Sequence, residues 1–474
     1  MQRKKIVIVG GGFSGMVTAY FASKFFKKNE IILLENSNSL GGLYNSVNFK
    51  NKFFFDHGMH IFYQSKNKII NNFFFKILKK SQWNILRGVK KDIAGLFYQK
   101  KLHTKSPYID LTNIDTNKKK FFIKEIISYK KKKLKKNYGS LENYFLKKFG
   151  KTLTYKIINP VVKKFWGHES KKIDAVAANL ILIDRINLFK KNIMDSLIAS
   201  KFYRSRFGYP DQLLLPKKYQ SSQTYGLYPK KFGMFNVIRK LVKILKKAKI
   251  SIYLNYSINN FFIKNKKIDQ INISNEKQNV TIKNVYKIFW TVSIFGLINI
   301  LKLKFKKLKL DKNKKQIFVY FLCKEKPQMG GNYYFMCFDK NFFTFRVTSY
   351  YEYCRNAKKI NSYYPLCMEL HFESEIKKLD YKKIALKELF KFKIIKNINS
   401  IKHVFVKEAS GFFPVMTLKN TAALSQIKKK INKRNLKNLF FASQSPENKI
   451  FFMHDVLDQN INLLYKLKND EIKN

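Results

Sequence analysis

The sequence predicts an α/β fold with two domains. Three observations support this: a strand, glycine-rich turn, helix and second strand follow one another at the N-terminus; a strand and helix pattern returns after residue 229; and aromatic and β-branched residues alternate between about 315 and 410. The chain has 474 residues, more than a single hydrophobic core usually serves. Two domains or interleaved lobes are therefore expected.

The first elements contain the fingerprint of a dinucleotide-binding turn. An apolar strand at residues 5–9 precedes Gly10, Gly12 and Gly15 in the spacing GxGxxG, and a helix-length stretch at residues 16–28 follows. The first glycine permits the tight turn, the second lets the backbone approach a pyrophosphate, and the third allows close packing of helix on strand. The start of the helix favours an anion because its N–H groups are unpaired.

Glu35 ends the second strand, residues 31–35, twenty residues after the last glycine of the turn. A carboxylate at this position accepts hydrogen bonds from the 2′- and 3′-hydroxyls of a ribose. It would repel a 2′-phosphate, so the motif favours FAD or NAD over NADP.

The later elements are predicted from periodicity and turn residues. Residues 68–220 read as largely helical and rich in lysine, with Ser140 as the N-cap of a helix over 140–149. A helix at 234–247 and strands at 250–254 and 285–292 restore the α/β pattern, and residues 315–410 read as antiparallel sheet. The chain closes with a strand at 436–442 and a helix at about 455–467. Most aromatic side chains of segment 333–353 are expected in the sheet core rather than along a substrate tunnel.

The formal charge of +65 suggests nucleic acid, but the basic residues argue otherwise. Of 95 Lys and Arg residues only nine are Arg, whereas readers of phosphate and guanine favour the bidentate arginine fork. Lys, Asn, Ile, Phe and Tyr are enriched together, as A/T-rich codons produce. We therefore expect no specific nucleic-acid binding. Attraction to anionic membranes stays an alternative, including for the lysine runs at 118–120 and 130–136.

The remaining composition excludes several classes. The four cysteines contain no CxxC pair, so neither a metal site nor a redox motif is expected. The apolar start is too short for a signal peptide, and the apolar stretch 288–301 is shorter than a membrane span. A cytoplasmic protein, soluble or peripheral to a membrane, is expected; its oligomeric state stays open.

Several motifs together resemble the flavin amine oxidase superfamily. They are the GxGxxG turn with Glu35, the pair Gly41-Gly42, the segment DHGMH at 56–60, the segment 228–233 before a helix, and NLFFA at 438–442. The superfamily includes protoporphyrinogen oxidases and phytoene desaturases, with UDP-galactopyranose mutase as a neighbour. The match runs nearly end to end.

The resemblance implies a discontinuous, Rossmann-like FAD-binding domain with an inserted α+β substrate domain. The FAD-binding domain would comprise residues 1–75, 225–300 and 411–474, and the substrate or cap domain 76–224 and 301–410. The implied FAD-binding residues, by position in this sequence, are Gly10, Gly12, Ser14, Gly15, Glu35, Gly41, Gly42, Gly58, His60, Ile258, Ser443, Met453 and His454. The helix beginning near Met453 would point its N-terminus at the pyrimidine edge of the flavin.

The chain departs from the family pattern at three places. A basic residue is usual shortly before the glycine pair and an Arg just after it, where this chain has Ser39 and Leu43. After the last strand, where relatives have Gly followed by an acid or Arg, it has Ser443 and Gln444. These departures concern the ring side of the cofactor and leave the adenosine side unaffected.

The catalytic residues stay unassigned, with His60 and His454 as candidates. His57 lies in the same segment as His60; for His60 and His454, hydrogen bonding to cofactor or backbone is the alternative role, because a flavin performs the redox chemistry itself. The expected function is FAD-dependent oxidation or desaturation of a small or lipid-like substrate by hydride transfer. The alternative is a mutase-like, flavin-dependent isomerase of nucleotide sugars. A mutase would need an Arg to bind the diphosphate, and the position after the last strand that would carry this Arg is Gln444.

Overall fold

The computed structural model describes residues 3–128, 138–180, 182–305, 308–373, 379–409, 415–445 and 448–473. The lysine run at 130–136 lies outside these residues. The strands are, in chain order, β1 (Lys5–Val9), β2 (Glu30–Leu34), β3 (Val47–Phe49), β4 (Phe53–Phe55), β5 (Phe62–Tyr63), β6 (Trp83–Arg87), β7 (Ala94–Tyr98), β8 (Lys101–His103), β9 (Ile109–Asp110), β10 (Ile186–Asn187), β11 (Tyr225–Pro229), β12 (Ser251–Tyr253), β13 (Ser257–Lys264), β14 (Lys267–Ser274), β15 (Asn279–Ile282), β16 (Val285–Trp290), β17 (Lys315–Cys323), β18 (Tyr334–Cys337), β19 (Thr344–Ser349), β20 (Tyr364–Phe372), β21 (Ile401–Glu408) and β22 (Leu439–Phe441).

The helices alternate with these strands. In chain order they are α1 (Phe13–Phe25), α2 (Lys68–Ile77), α3 (Thr116–Ser128), α4 (Leu141–Leu153), α5 (Asn159–Trp166), α6 (Lys191–Leu197), α7 (Lys201–Arg204), α8 (Phe235–Lys247), α9 (Gly296–Ile300), α10 (Tyr350–Tyr353), α11 (Asn356–Asn361), α12 (Tyr381–Lys391), α13 (Leu418–Lys433) and α14 (Met453–Lys473). Within the described residues, no helix combines the length and the apolar character that crossing a bilayer requires.

A parallel sheet holds the glycine turn. Its strand order among the described residues is β12-β2-β1-β16-β22, with every neighbouring pair parallel. Ile6 and Ile8 face the core formed with α1, whereas Val7 and Val9 face the core under the antiparallel sheet of β13, β14 and β15. Burial on both faces explains why β1 and β2 are continuously apolar rather than alternating.

A second, larger sheet packs against the large core that also contains residues of α1. Its order among the described residues is β21-β17-β20-β19-β18-β7-β8. Alternate residues of β20 divide between two cores: Cys367 joins the large core shared with α1, while Met368 joins the core under α12. The predicted antiparallel sheet over 315–410 is confirmed, and Tyr333, Phe335 and Tyr350 are buried in it.

The expectation that residues 68–220 are largely helical is wrong in part. The segment also contains β6, β7 and β8, and β7 pairs in parallel with β18, about 240 residues further along the chain. Local periodicity carries no trace of such a distant partner, so tertiary pairing decides the outcome. The predicted N-cap is confirmed, because the Ser140 hydroxyl accepts a 3.2 Å hydrogen bond from the N–H of Asn143. The division into two domains stays a prediction.

Candidate functional site

The glycine turn leaves backbone exposed where a phosphate would lie. Gly10 has φ +107°, and a Cβ on Gly15 would stand 1.9 Å from the carbonyl oxygen of Gly10, so α1 begins directly against the turn. A Cβ on Gly12 would meet no atom within 4 Å. Gly10 and Gly15 therefore serve the turn and the packing, while Gly12 presents an accessible backbone.

The start of α1 is suited to an anion. Gly12 is the N-cap residue, no side chain caps the helix, and its first turn contains no acidic residue. Ser14 lies in this turn, and its carbonyl oxygen accepts a 2.8 Å hydrogen bond from the Thr18 hydroxyl. Uncapped N–H groups and the positive end of the helix dipole stabilise negative charge at this point.

Glu35 lies beside the turn, just past the end of β2. One carboxylate oxygen accepts a 2.6 Å hydrogen bond from the N–H of Gly11, and the other accepts bonds from the N–H and the hydroxyl of Ser37, at 2.8 and 2.7 Å. The carbonyl oxygen of Glu35 accepts from the N–H of Tyr256, which brings the start of β13 alongside. Ile258 lies two residues on and packs partly buried against the second core.

A second glycine loop meets the first. Gly41 and Gly42 have φ +113° and +55°, and the N–H of Gly41 donates a 2.8 Å hydrogen bond to the carbonyl oxygen of Gly11. A Cβ on Gly42 would stand 3.4 Å from the Cα of Gly12. The two loops form a cradle without side chains, which fits a dinucleotide diphosphate.

Asp56 fixes the segment 56–60, here called the wall, which lies next to this cradle. Its carboxylate accepts hydrogen bonds from the Tyr228 hydroxyl (2.6 Å) and the N–H of Met234 (2.9 Å), and its carbonyl oxygen accepts one from the Tyr350 hydroxyl (2.5 Å). Burial raises the pKa of Asp56 to about 6, although the two hydrogen bonds to its carboxylate oppose the rise. The Asp56 carboxylate thus joins β11 and the start of α8 to segment 56–60, and its backbone carbonyl joins α10.

The two histidines of this wall are uncharged at neutral pH. Burial, together with the nearby Arg346, lowers the pKa of His60 to about 3. Burial, with Lys407, lowers the pKa of His57 to about 4. The His60 ring stacks on Tyr44 with centroids 4.9 Å apart, and its Nε2 is a buried atom without a hydrogen-bond partner. An unsatisfied buried nitrogen is costly, and a ligand here would satisfy it.

Arg346 is the site residue that sequence reasoning missed. Its Nε donates a 2.6 Å hydrogen bond to Oε1 of Glu369, whose other oxygen accepts from Gln316 at 2.9 Å. Burial would lower the pKa of Arg346, but Glu369 raises it above its ordinary value. A Cβ on Gly58 would lie 2.5 Å from Glu369 and 3.1 Å from Arg346, so this ion pair presses against segment 56–60.

The C-terminal candidates gather at the start of α14, whose first residue is Met453. Nε2 of His454 lies 2.8 Å from Nε2 of Gln223, and its ring meets the edge of Tyr63, three residues after His60. Burial lowers the pKa of His454, while Asp455 and Asp458 oppose this. The carbonyl oxygen of Ser443 accepts a 3.2 Å hydrogen bond from Gln459, which ties the last strand to α14.

A small cavity of about 190 Å³ is lined by residues of β7 and of segments 89–92, 107–108 and 209–221, among others. Asp92, Tyr108, Arg185 and Tyr334 are among its lining residues. Burial raises the pKa of Asp92, and polar contacts with the Tyr63 and Tyr334 hydroxyls oppose the rise. The Oδ1 atom of Asp92 and the Nε atom of Arg185 are buried without hydrogen-bond partners. Nε of Arg185 lies 3.7 Å from the Asp184 carboxylate, so the group without a partner beside the cavity is the Asp92 acceptor.

The structure thus gathers the glycines and Glu35 around one turn, places Gly58 and His60 against Arg346, and places Met453 and His454 beside β5. Their roles in binding stay predictions. Tyr256, two residues before Ile258, donates its N–H to the Glu35 carbonyl oxygen, whereas the Ile258 side chain packs against the core that contains Val7 and Val9.

Comparisons with known proteins support the same fold class. Residues 8–77 match the family of NAD(P)-binding Rossmann-like domains, and no curated protein matches the chain. Among solved structures, reduced UDP-galactopyranose mutase aligns with TM-score 0.71 at 13% identity, covering 97% of this chain and 94% of that one. A candidate protoporphyrinogen oxidase from Exiguobacterium sp. 255-15 aligns with TM-score 0.69 at 14% identity, covering 99% and 100%. Cyclohexylamine oxidase from Brevibacterium oxydans IH-35A aligns with TM-score 0.60 at 9% identity, covering 100% of both chains.

Residues 8–77 therefore resemble a dinucleotide-binding domain, and the chain shares its overall fold with the three solved structures named above. The resemblance read from the motifs is confirmed at this level.

Proposed function

We propose that the protein is an FAD-dependent oxidoreductase of the amine oxidase type that oxidises or desaturates a small or lipid-like substrate. The observation that carries the proposal is the side-chain-free cradle of Gly12, Gly41 and Gly42 beside the Glu35 carboxylate. The uncapped start of α1 would hold the diphosphate, and Glu35 would exchange its bonds to Gly11 and Ser37 for ribose hydroxyls.

Bound FAD would supply a two-electron acceptor for a hydride from the substrate. The chain's own residues would hold and shield the reacting groups. His60, neutral and lacking a partner at Nε2, would hydrogen-bond to cofactor or substrate. The Asp56 anchor fixes the wall that carries His60, and the N-terminus of α14 would stabilise negative charge near His454.

A mutase-like, flavin-dependent isomerase of nucleotide sugars is the second candidate, and Arg346 is the observation that favours it. A guanidinium can bind a diphosphate with two parallel hydrogen bonds, and the chain has one at Arg346 in β19, whose side chain is 23% exposed, whereas position 444 holds Gln. A cavity of about 760 Å³ extends along the same sheet face; Lys163, Lys164, Lys314 and His371 are among the residues that line it. One observation weighs against this candidate: Arg346 already forms an ion pair with Glu369.

Anaerobic titration separates the two candidates. An oxidoreductase loses its oxidised-flavin absorbance when substrate is added without reductant, and oxygen or a quinone restores it. A mutase acts only after reduction and leaves the flavin reduced. We expect dithionite-reduced protein not to interconvert UDP-galactopyranose and its furanose form; robust interconversion, lost on re-oxidation, would favour the second candidate.

A further inference from the structure

The loop from Asp211 to Ser221, here called the Leu213–Leu214 loop, holds two adjacent leucines in solvent. Leu213 and Leu214 are 50% and 54% exposed. Single exposed leucines are ordinary on protein surfaces, but a neighbouring pair at the tip of one turn forms an apolar patch that favours a contact with another body.

The turn is held firmly from below. The Asp211 carboxylate accepts a 3.1 Å hydrogen bond from the N–H of Leu213. The Gln212 amide brackets Ala94, donating to its carbonyl oxygen at 2.7 Å and accepting from its N–H at 3.1 Å, while the backbone N–H of Gln212 donates to Lys105. With both ends of the Gln212 side chain engaged, the leucines cannot fold inward without breaking these bonds.

Positive charge surrounds the leucines. Lys217 and Lys218 are exposed immediately after Pro216. Two cations lie close to the Tyr219 ring: Arg204 is 5.1 Å and Lys218 is 5.0 Å from its centroid. Asp211 is the one acidic residue between positions 201 and 221, and it already lies 3.8 Å from Lys105. The loop itself therefore carries a net positive charge.

We propose that the Leu213–Leu214 loop docks the protein on an anionic phospholipid bilayer. The leucines would enter the interface, the lysines would meet lipid phosphates and carboxylates, and Tyr219 would lie at headgroup depth. Charge complementarity selects an acidic surface, and the apolar pair distinguishes a bilayer from a soluble polyanion.

The inner side of the same loop points to a use for this docking. Gln212, Leu215, Gln220 and Ser221 line the cavity of about 190 Å³ that also contains Asp92 and Tyr334. A bilayer against the loop tip would lie next to this cavity, and a lipid-like substrate could pass between them. The docking itself does not depend on the reaction proposed above.

Vesicle co-sedimentation tests the proposal on the full-length protein. We expect binding to vesicles of phosphatidylcholine mixed with phosphatidylserine and little binding to phosphatidylcholine alone. Leu213→Ser/Leu214→Ser should weaken the binding at least tenfold. Lys217→Gln/Lys218→Gln should weaken it by about fivefold for each lysine at low salt, and less at high salt.

Two control variants separate a local surface from the general charge of the chain. Phe390 is 55% exposed on α12, and Phe390→Ser should leave binding unchanged. Lys246→Gln/Lys247→Gln, at the end of α8, removes the same charge elsewhere and should change binding less than twofold. The proposal is overturned if the control variants weaken binding as much as the loop variants. It is also overturned if the leucine variant binds like the wild type, or if the wild type does not bind these vesicles.

Discussion

Nε of Arg346 donates a 2.6 Å hydrogen bond to Oε1 of Glu369, and this pair rests on the backbone of Gly58. Glu369 is 2% exposed, so its charge depends on Arg346 and Gln316 for compensation. The ion pair between β19 and β20 therefore packs against the segment that carries His60.

Glu369→Gln should destabilise the protein strongly. The change leaves the partly exposed Arg346 charge without its partner, so the loss should lie below the about 3 to 5 kcal/mol that fully buried pairs lose. The double variant Arg346→Met/Glu369→Met removes both charges and should recover most of that loss. Urea unfolding of the two variants measures this; a double variant less stable than the single one would contradict the account.

Gly58→Ala should cost more than backbone strain alone. Gly58 has φ +68°, and the new Cβ would stand 2.5 Å from Glu369. Gly139 provides a matched control, because it has φ +66° with no atom within 4 Å of an added Cβ. Strain alone costs about 1 to 2 kcal/mol, and the clash adds roughly 1 to 3 kcal/mol at Gly58. Equal losses of stability in the two variants would show that the contact with Glu369 is unimportant.

His371 should make the protein sensitive to acid. Its ring stacks on Phe345 at 4.2 Å, and burial, with Lys314, Lys164 and Arg346 nearby, lowers its pKa to about 3. Unfolded His takes up a proton near pH 6.5 and the folded residue does not, so stability is full above pH 6.5 and falls as the pH drops toward 3.

The predicted loss from His371 is about 1.4 kcal/mol between pH 7.5 and 5.5. His371→Phe keeps a stacked ring and removes the titration, so its free energy of unfolding should fall less over this interval. Denaturant unfolding at the two pH values measures the difference. Identical pH dependence in the variant and the wild type would exclude His371 as a source.

Glu35→Ala should release the flavin on dilution. Charge-assisted hydrogen bonds to the ribose are worth about 1.5 to 3 kcal/mol, or roughly ten- to a hundredfold in affinity. Gly12→Val should be more severe, because a side chain would occupy the place of the pyrophosphate. Glu30→Ala, at the other end of β2, is the control and should keep the cofactor. Fluorescence of released flavin reports all three, and equal retention by Glu35→Ala and Glu30→Ala would contradict the assigned role.

The adenosine side of the site could be predicted from sequence because its signals are local. The glycine turn, α1, β2 and Glu35 lie within 35 residues of the N-terminus, and each is specified by its neighbours in the chain. The pair Gly41-Gly42 likewise follows closely, and both adopt the positive φ that favours glycine.

The ion pair of Arg346 and Glu369 could not be predicted in this way. Arg346 and Glu369 lie in strands that read as aromatic sheet, and their pairing depends on the register of β19 with β20. A signal was present, however: Arg is rare in this chain, and Glu369 is the one acidic residue of β20, which is largely apolar. An isolated Arg where Lys is the default residue indicates a need for guanidinium geometry.

The absorption spectrum of the purified protein, recorded after incubation with FAD and gel filtration, tests the central claim most directly. If the cradle of Gly12, Gly41 and Gly42 with Glu35 holds FAD, the protein should elute with the visible flavin bands, and Gly12→Val treated in the same way should elute without them. Folded wild-type protein that elutes colourless after this treatment would contradict the account.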